Sequence, residues 1–394
     1  MPKLLSRRQA GAQSLQALAT MQSVPVRYAL ANIMIAGSIV AVAWGGWLIW
    51  VALAAIYATG GPLDEVLDES SIAAAPKARW FCNANLYFTL PLILLLVYVF
   101  VRFAAGAHFR FPAAVARLDQ APFLVWQQRS DFPAAALLVG SCYAMFGATV
   151  AHELTHRSGR LARFSARALL SLMWNTSFTI FHVQVHHRYV ATNRDCATAR
   201  RGEYILAFVV RTVVGQYREA YRCEVERLRA LRRQPWTWHN RLLSGQLMSI
   251  AIVAVAAAGA GGMGVLALLA AALVGRTIHE LVNYIQHYGL VRAEGALVAG
   301  HHSWDCHRPV SNAMYCDLPR HSEHHLFASK PHWELAPTQQ APLLPHGYLM
   351  MVLFALIPFL WRRTMGPCLA DWDQRLASDA ERAIILARGW EKLC

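Results

Sequence analysis

His152-Glu153-Leu154-Thr155-His156 places two imidazoles one helical turn apart. Both then project from one face and can hold a single cation. On a soluble chain this pattern indicates a zinc hydrolase with Glu153 as general base. Three later groups change that reading: His182/His186/His187, His287, and His321/His324/His325. The pair His182 and His186 repeats the one-turn spacing, and His187 adds an adjacent imidazole that can address a second ion. The third group repeats this in mirrored form. A catalytic zinc uses three protein ligands and one open position. Nine candidates out of 17 histidines exceed that need and fit one site with two metal ions. Imidazole suits iron, copper, zinc and nickel alike, so ligand type does not choose the metal. Each ligating ring should donate its other N–H to a carboxylate or carbonyl, and Glu153, Asp195, Glu323 and Asn283 are placed to receive it.

The other histidines divide by context. His108, His239, His332 and His346 sit among aromatic residues and read as core or interface histidines. His301, His302 and His307 lack the one-turn spacing and fall outside the expected site. His279 lies two turns before His287 on the same face, a polar side chain at membrane depth pointing toward any substrate cavity.

These groups need elements to carry them, and the composition says what kind. Of 394 residues, 56% are hydrophobic and only 15% charged, with long apolar runs. This is an all-α, polytopic membrane bundle rather than a water-soluble fold. The run 24–67 is longer than the roughly 20 residues one crossing needs. Gly45-Gly46 between Trp44 and Trp47 divides it into a hairpin. Further spans follow at 86–105, 132–151, 242–258 and 265–286, with the outer turn at 259–264, giving about six crossings. The polar residues from Asp64 to Arg79 read as a loop. Segment 161–181, interrupted by Arg163, Arg167 and Asn175, reads as re-entrant or interfacial, because histidines at both of its ends must reach one site. Segment 217–233 is an amphipathic helix, interfacial or solvated, and 347–361 is too short to cross.

Sixteen arginines and no lysine lie between His152 and Arg241. By the positive-inside rule this face, with the histidines, is cytoplasmic. The same rule accounts for the net charge of +14 without nucleic acid. Eight cysteines include no C-x-x-C pair, so no rubredoxin or zinc ribbon is fused to the chain, and the thiols are expected to be reduced. Residues 1–23 are expected to form a cytoplasmic tail, 24–361 the membrane domain and 362–394 a second cytoplasmic tail.

Four passages resemble the integral-membrane alkane hydroxylase and xylene monooxygenase family, within the membrane desaturase and hydroxylase group. They are His152 to Arg157; His182 through His186-His187-Arg188-Tyr189 to Arg201-Gly202-Glu203; Asn283-Tyr284-Ile285-Gln286-His287-Tyr288-Gly289-Leu290; and Arg320 to His325. The resemblance implies a cytoplasmic-facing di-iron site in a bacterial-type inner membrane, with His152, His156, His182, His186, His187, His287, His321, His324 and His325 as ligands. It implies O2 as co-substrate, hydroxylation of an unactivated C–H bond such as a terminal methyl, and electrons from NAD(P)H through a reductase and a rubredoxin or ferredoxin. A hydrophobic substrate would enter from the bilayer.

The chain departs from the alkane-acting members at Thr155 (usually Gly), at Arg157 (usually Lys) and in His182-Val183-Gln184-Val185. Medium-chain alkane is the default substrate, with fatty acyl, terpenoid and alkyl-aromatic substrates open. Trp44, Trp47 and Trp50 share one face of the hairpin and either anchor it at the interface or limit substrate depth. Desaturation on the same scaffold, an intramembrane metalloprotease built on His152, Glu153 and His156, and a histidine-rich metal transporter are the competing readings.

Overall fold

The computed structural model describes residues 25–67, 79–106 and 128–393. The expected tail 1–23 and His108 lie outside them. Among the described residues the chain is helical with no strand, apart from one isolated bridge between Asp305 and Leu343.

Helices α1 (Leu30–Trp44) and α2 (Trp47–Ala58) meet at the expected hairpin. Gly45 and Gly46 adopt φ of 82° and 58°, and the Gly46 N–H donates to Asp131 Oδ2 at 3.0 Å. That bond fixes the turn to the start of α4 (Gln128–Cys142). Between them, α3 (Arg79–Ala104) begins seven residues before the expected Leu86. Its polar first turns persist because Asn32 of α1 donates to the Asn85 side chain at 3.0 Å and accepts from Thr89 at 2.8 Å. These buried amides hold two spans together where water is absent.

The polar loop expected from Asp64 needs correction. The chain stays helical through Asp64–Val66, and Asp64 is fully buried. Its carboxylate accepts from the Val310 and Ser311 N–H groups at 2.8 and 3.1 Å and from Ser311 Oγ at 2.6 Å. A buried carboxylate is tolerable when its lone pairs are met in this way.

Helix α4 continues through a wide π turn, Tyr143–Ala148, into α5 (Thr149–Thr155), which carries the first two histidines. Short helix α6 (Arg160–Ser171) exposes Leu161 and Phe164 and buries Ala162, Ala166 and Leu169. The chain then turns at Trp174, with φ of 55°, before α7 (Phe178–Phe181). Segment 161–181 is therefore broken, and its longest helix, of 12 residues, is too short to cross.

Helix α8 (Ile205–Ala230) starts twelve residues before the expected Tyr217. Its first half exposes Leu206, Val210 and Val214, four residues apart, while Phe208, Thr212 and Gln216 face inward. That exposed apolar stripe suits a membrane interface.

Helix α9 (Arg241–His287) is interrupted at Gly261, with φ of 58° and ψ of −151°. A Cβ on Gly264 would stand 2.6 Å from the Ala256 carbonyl. Eight residues of straight helix span about 12 Å. The chain therefore doubles back, and α9 is two legs, 241–260 and 262–287. Among the described residues, five helices are long and apolar enough to cross a membrane, and the folding of the last gives six passes, as expected. The returning leg lies against α4 at very close range, because a Cβ on Gly140 would meet Val274 at 2.5 Å and the Ala271 carbonyl at 2.8 Å. Small residues allow such contact between membrane helices. This crossing brings the end of α5 and the end of α9 together.

The remaining elements cover that end: α10 (Pro309–Met314), α11 (His321–Leu326), α12 (Tyr348–Ala355), α13 (Pro358–Arg375) and α14 (Asp379–Ala387). Within 362–394, Trp372 is fully buried and Arg201 pairs with Asp373 at 2.7 Å, so this stretch packs on the body.

Candidate metal centre

All nine histidines singled out by spacing converge at one end of the bundle. Potential ligand atoms of His152, His156, His182 and His324 lie within 4.8 Å of one another, and so do those of His186, His287, His321 and His325. Ring nitrogens run Nε2 to Nε2 from His156 to His182 at 3.1 Å, His182 to His187 at 3.0 Å and His187 to His324 at 3.2 Å. In the other quartet His321 Nε2 lies 3.0 Å from His287 Nε2 and 3.1 Å from His325 Nε2. Two nitrogens each about 2.1 Å from one cation and at right angles to each other lie about 3.0 Å apart. The spacing therefore fits two cations. The buried His152 Nε2 has no hydrogen-bond partner, as a ligand atom would not.

Burial, followed by the neighbouring imidazoles, holds His182, His187, His321, His324 and His325 well below the ordinary range. Burial and then His186 bring His156 down to about 4. Neutral rings keep a lone pair for a cation.

One-turn spacing does not put His182 and His186 on a single ion. His182 and His186 fall in different quartets, and His187 sits between the two, its Nε2 near His182 and His324 and its ring centroid 4.5 Å from that of His325. The reason is a π turn over His182–His186, closed by the His187 N–H on the His182 carbonyl. One extra residue per turn brings positions i and i+5 onto the same face. Mid-helix π turns occur often at functional sites.

Of the four expected outer partners, one reaches an imidazole. Asp195 Oδ2 accepts from His186 Nδ1 at 2.9 Å, itself held by Thr198 Oγ1 at 2.7 Å and the Ala197 N–H at 3.0 Å. Glu153 pairs instead with Arg157 at 2.8 Å, Glu323 with Lys330 at 2.7 Å, and Asn283 donates to Glu280 at 3.0 Å. An i,i+4 arginine and a loop lysine outcompete the rings for those carboxylates. Sequence reasoning also missed His302, whose carbonyl accepts from His287 Nδ1 at 3.3 Å. Consecutive histidines without one-turn spacing gave no signal for that role.

A small cavity adjoins both quartets, lined by His152, His182 and His321 together with Ala144, Phe178 and Val282. His279 and Asn283 also line it, and His279 Nε2 is buried without a partner. Its ring stands edge-on to Phe178, with centroids 5.0 Å apart. Trp47 and Trp50 are exposed on the bundle surface and line no part of this cavity, which favours their anchoring role. His332 is a buried core histidine against Tyr28, His239 stands edge-on to Trp238, and His346 bonds Glu65, all away from the two quartets.

Comparison with known proteins shows what the chain is similar to. The profile of the fatty acid desaturase family matches residues 130–366. Over 374 residues, 94% of this chain and 96% of the relative, it is 28% identical to the xylene/toluene monooxygenase hydroxylase component of Pseudomonas putida. It is 34% identical over 236 residues to alkane 1-monooxygenase 1 of Pseudomonas aeruginosa, covering 59% of this chain and 62% of that protein. It is 35% identical over 250 residues to the alkane 1-monooxygenase of Acinetobacter baylyi, covering 62% and 61%.

Proposed function

The chain belongs to the fatty acid desaturase family, and from that premise we propose that it is a membrane-bound di-iron monooxygenase acting on a methyl group of a hydrophobic substrate. The observation that carries this reading is the pair of histidine quartets beside one cavity. The overall reaction is R–CH3 + O2 + 2 electrons + 2 protons giving R–CH2OH + H2O.

His152, His156, His182, His187 and His324 would hold one iron, and His186, His287, His321 and His325 the other. Bound there, the metals supply the redox chemistry that activates O2. The protein's own residues shape what surrounds it. Phe178, Ala144 and Val282 give the cavity apolar walls that exclude water from the reacting carbon. Asp195 orients the His186 ring so that its other nitrogen faces the centre.

Glu153, held by Arg157, is not free to act as the base a metalloprotease requires. The arginine-rich segment from His152 to Arg241 supports a cytoplasmic position for this end, in an inner membrane. An acidic rubredoxin or ferredoxin, reduced by NAD(P)H through its reductase, would be attracted to it. Near-complete alignment with the xylene/toluene enzyme supports methyl-substituted aromatics beside alkanes as substrates.

Purified protein should contain two irons and consume O2 with a hydrocarbon panel and a rubredoxin system, giving primary alcohols. Alkene products instead would make it a desaturase, and metal binding without O2 uptake would exclude oxygenation.

A further inference from the structure

We propose that the C-terminal helices form a clamp that orients His287, with Glu381 as the positioning residue. The inference rests on the di-iron reading.

Inside the protein His287 turns its Nε2 toward His321, so its Nδ1 must carry the proton, and that N–H donates to the His302 carbonyl at 3.3 Å. The carbonyl belongs to the tight turn Gly300–His302. A turn in a long connecting loop has no helix or sheet to fix it, and this one is held from outside at two places. Trp372 of α13, fully buried, donates its indole N–H to the His301 carbonyl at 2.7 Å. Glu381 of α14 accepts from His302 Nε2 at 2.7 Å.

The His302 ring is committed at both nitrogens, because its Nδ1 accepts from the Ala299 N–H at 2.9 Å. Its proton is therefore on Nε2, facing the carboxylate. Glu381 is in turn fixed by its own helix start, where its Oε2 accepts from the Ser378 N–H at 2.8 Å and the Ser378 Oγ accepts from the Glu381 N–H at 3.4 Å. The connection runs from the α14 cap through Glu381, the His302 ring and the His302 carbonyl to the ligand ring.

His301, His302 and Glu381 also group closely enough to suggest a third cation site. The committed tautomer argues against it: a ring that accepts at Nδ1 and donates at Nε2 has no lone pair to offer. The cluster is a structural brace. Outer partners of this kind are worth about 10–100-fold in metal affinity.

The experiment loads full-length wild type, E381A, E381Q and H287A with limiting iron-57 and measures iron per chain with the Mössbauer spectrum. Wild type should show two irons in two environments. In E381A the environment lost in H287A should weaken about 10–100-fold while the other keeps its iron. E381Q, whose amide oxygen still accepts from His302 Nε2–H, should lose only a few-fold at the same environment. Equal retention of both irons with unchanged spectra in E381A, parallel loss of both, or a third bound cation in wild type would each overturn the clamp. If E381A fails to fold, E381Q decides, since unaltered affinity at the H287A-sensitive environment also overturns it. Wild type without iron would defeat the di-iron reading itself, a result distinct from all of these.

Discussion

The two histidine quartets use the same residue type at the same spacing, yet they are supported in different ways. The quartet of His186, His287, His321 and His325 is held from behind. His186 leans on Asp195, and His287 leans on a carbonyl fixed by the C-terminal helices. Among the described residues, no carboxylate hydrogen-bonds an imidazole of the quartet His152, His156, His182 and His324. Two of its members, His152 and His182, line the cavity, to which the held quartet adds His321 alone. Held rings keep a fixed geometry, whereas rings facing open space can follow what binds there. The difference suggests a division between a metal set for stability and one set beside the substrate.

The largest effect should come from the cavity-facing quartet. H324A should remove the iron of that quartet and lower turnover more than about 100-fold, beyond what outer partners cost, with metal analysis reading about one iron per chain. D195A should act next, on the other quartet, weakening its iron about 10–100-fold in a chelator titration while the first iron stays.

A smaller effect separates cavity from ligand. H279L should keep both irons but lower KM for a hydrocarbon by up to about tenfold, since a buried unpaired donor costs about 1–3 kcal/mol. Unchanged KM would remove His279 from the substrate wall. E153Q should be mildest at the centre, within a few-fold of wild-type turnover. A general base would cost about 10²–10⁴-fold, so such a loss would revive the hydrolase reading.

Away from both quartets, acid should loosen the junction of α8 and α9. Burial pushes the Glu224 carboxyl up, but hydrogen bonds from Arg227 and Arg241 outweigh it and bring it down to about 2. A depressed carboxyl contributes stability above its unfolded value near 4.5, and this is lost as pH falls toward 2. Thermal unfolding followed across that window should lose its slope in E224Q.

The histidines that converge were legible because metal chemistry dictates residue type and the α-helix dictates spacing. The six passes were legible because hydrocarbon thickness sets apolar length. What escaped reading depended on longer-range competition. Glu153 and Glu323 stand near imidazoles in sequence, but Arg157 and Lys330 reach them first. The early start of α3 rests on Asn32, more than forty residues away, and the helical Asp64 rests on backbone groups of Val310 and Ser311. His302 acts through a carbonyl, which every residue has and no pattern marks.

The π turn at His182–His186 has a further consequence. It separates His182 from His186 and draws His187 alongside His182, so one residue of register distinguishes this arrangement from a helix whose two histidines serve a single ion. Removing Val185 would restore ordinary winding and bring His182 and His187 to one-turn spacing, leaving the held quartet without His186 in place. On the di-iron reading, a single-codon insertion is thus the smallest genetic step that separates a one-metal helix from a two-metal one.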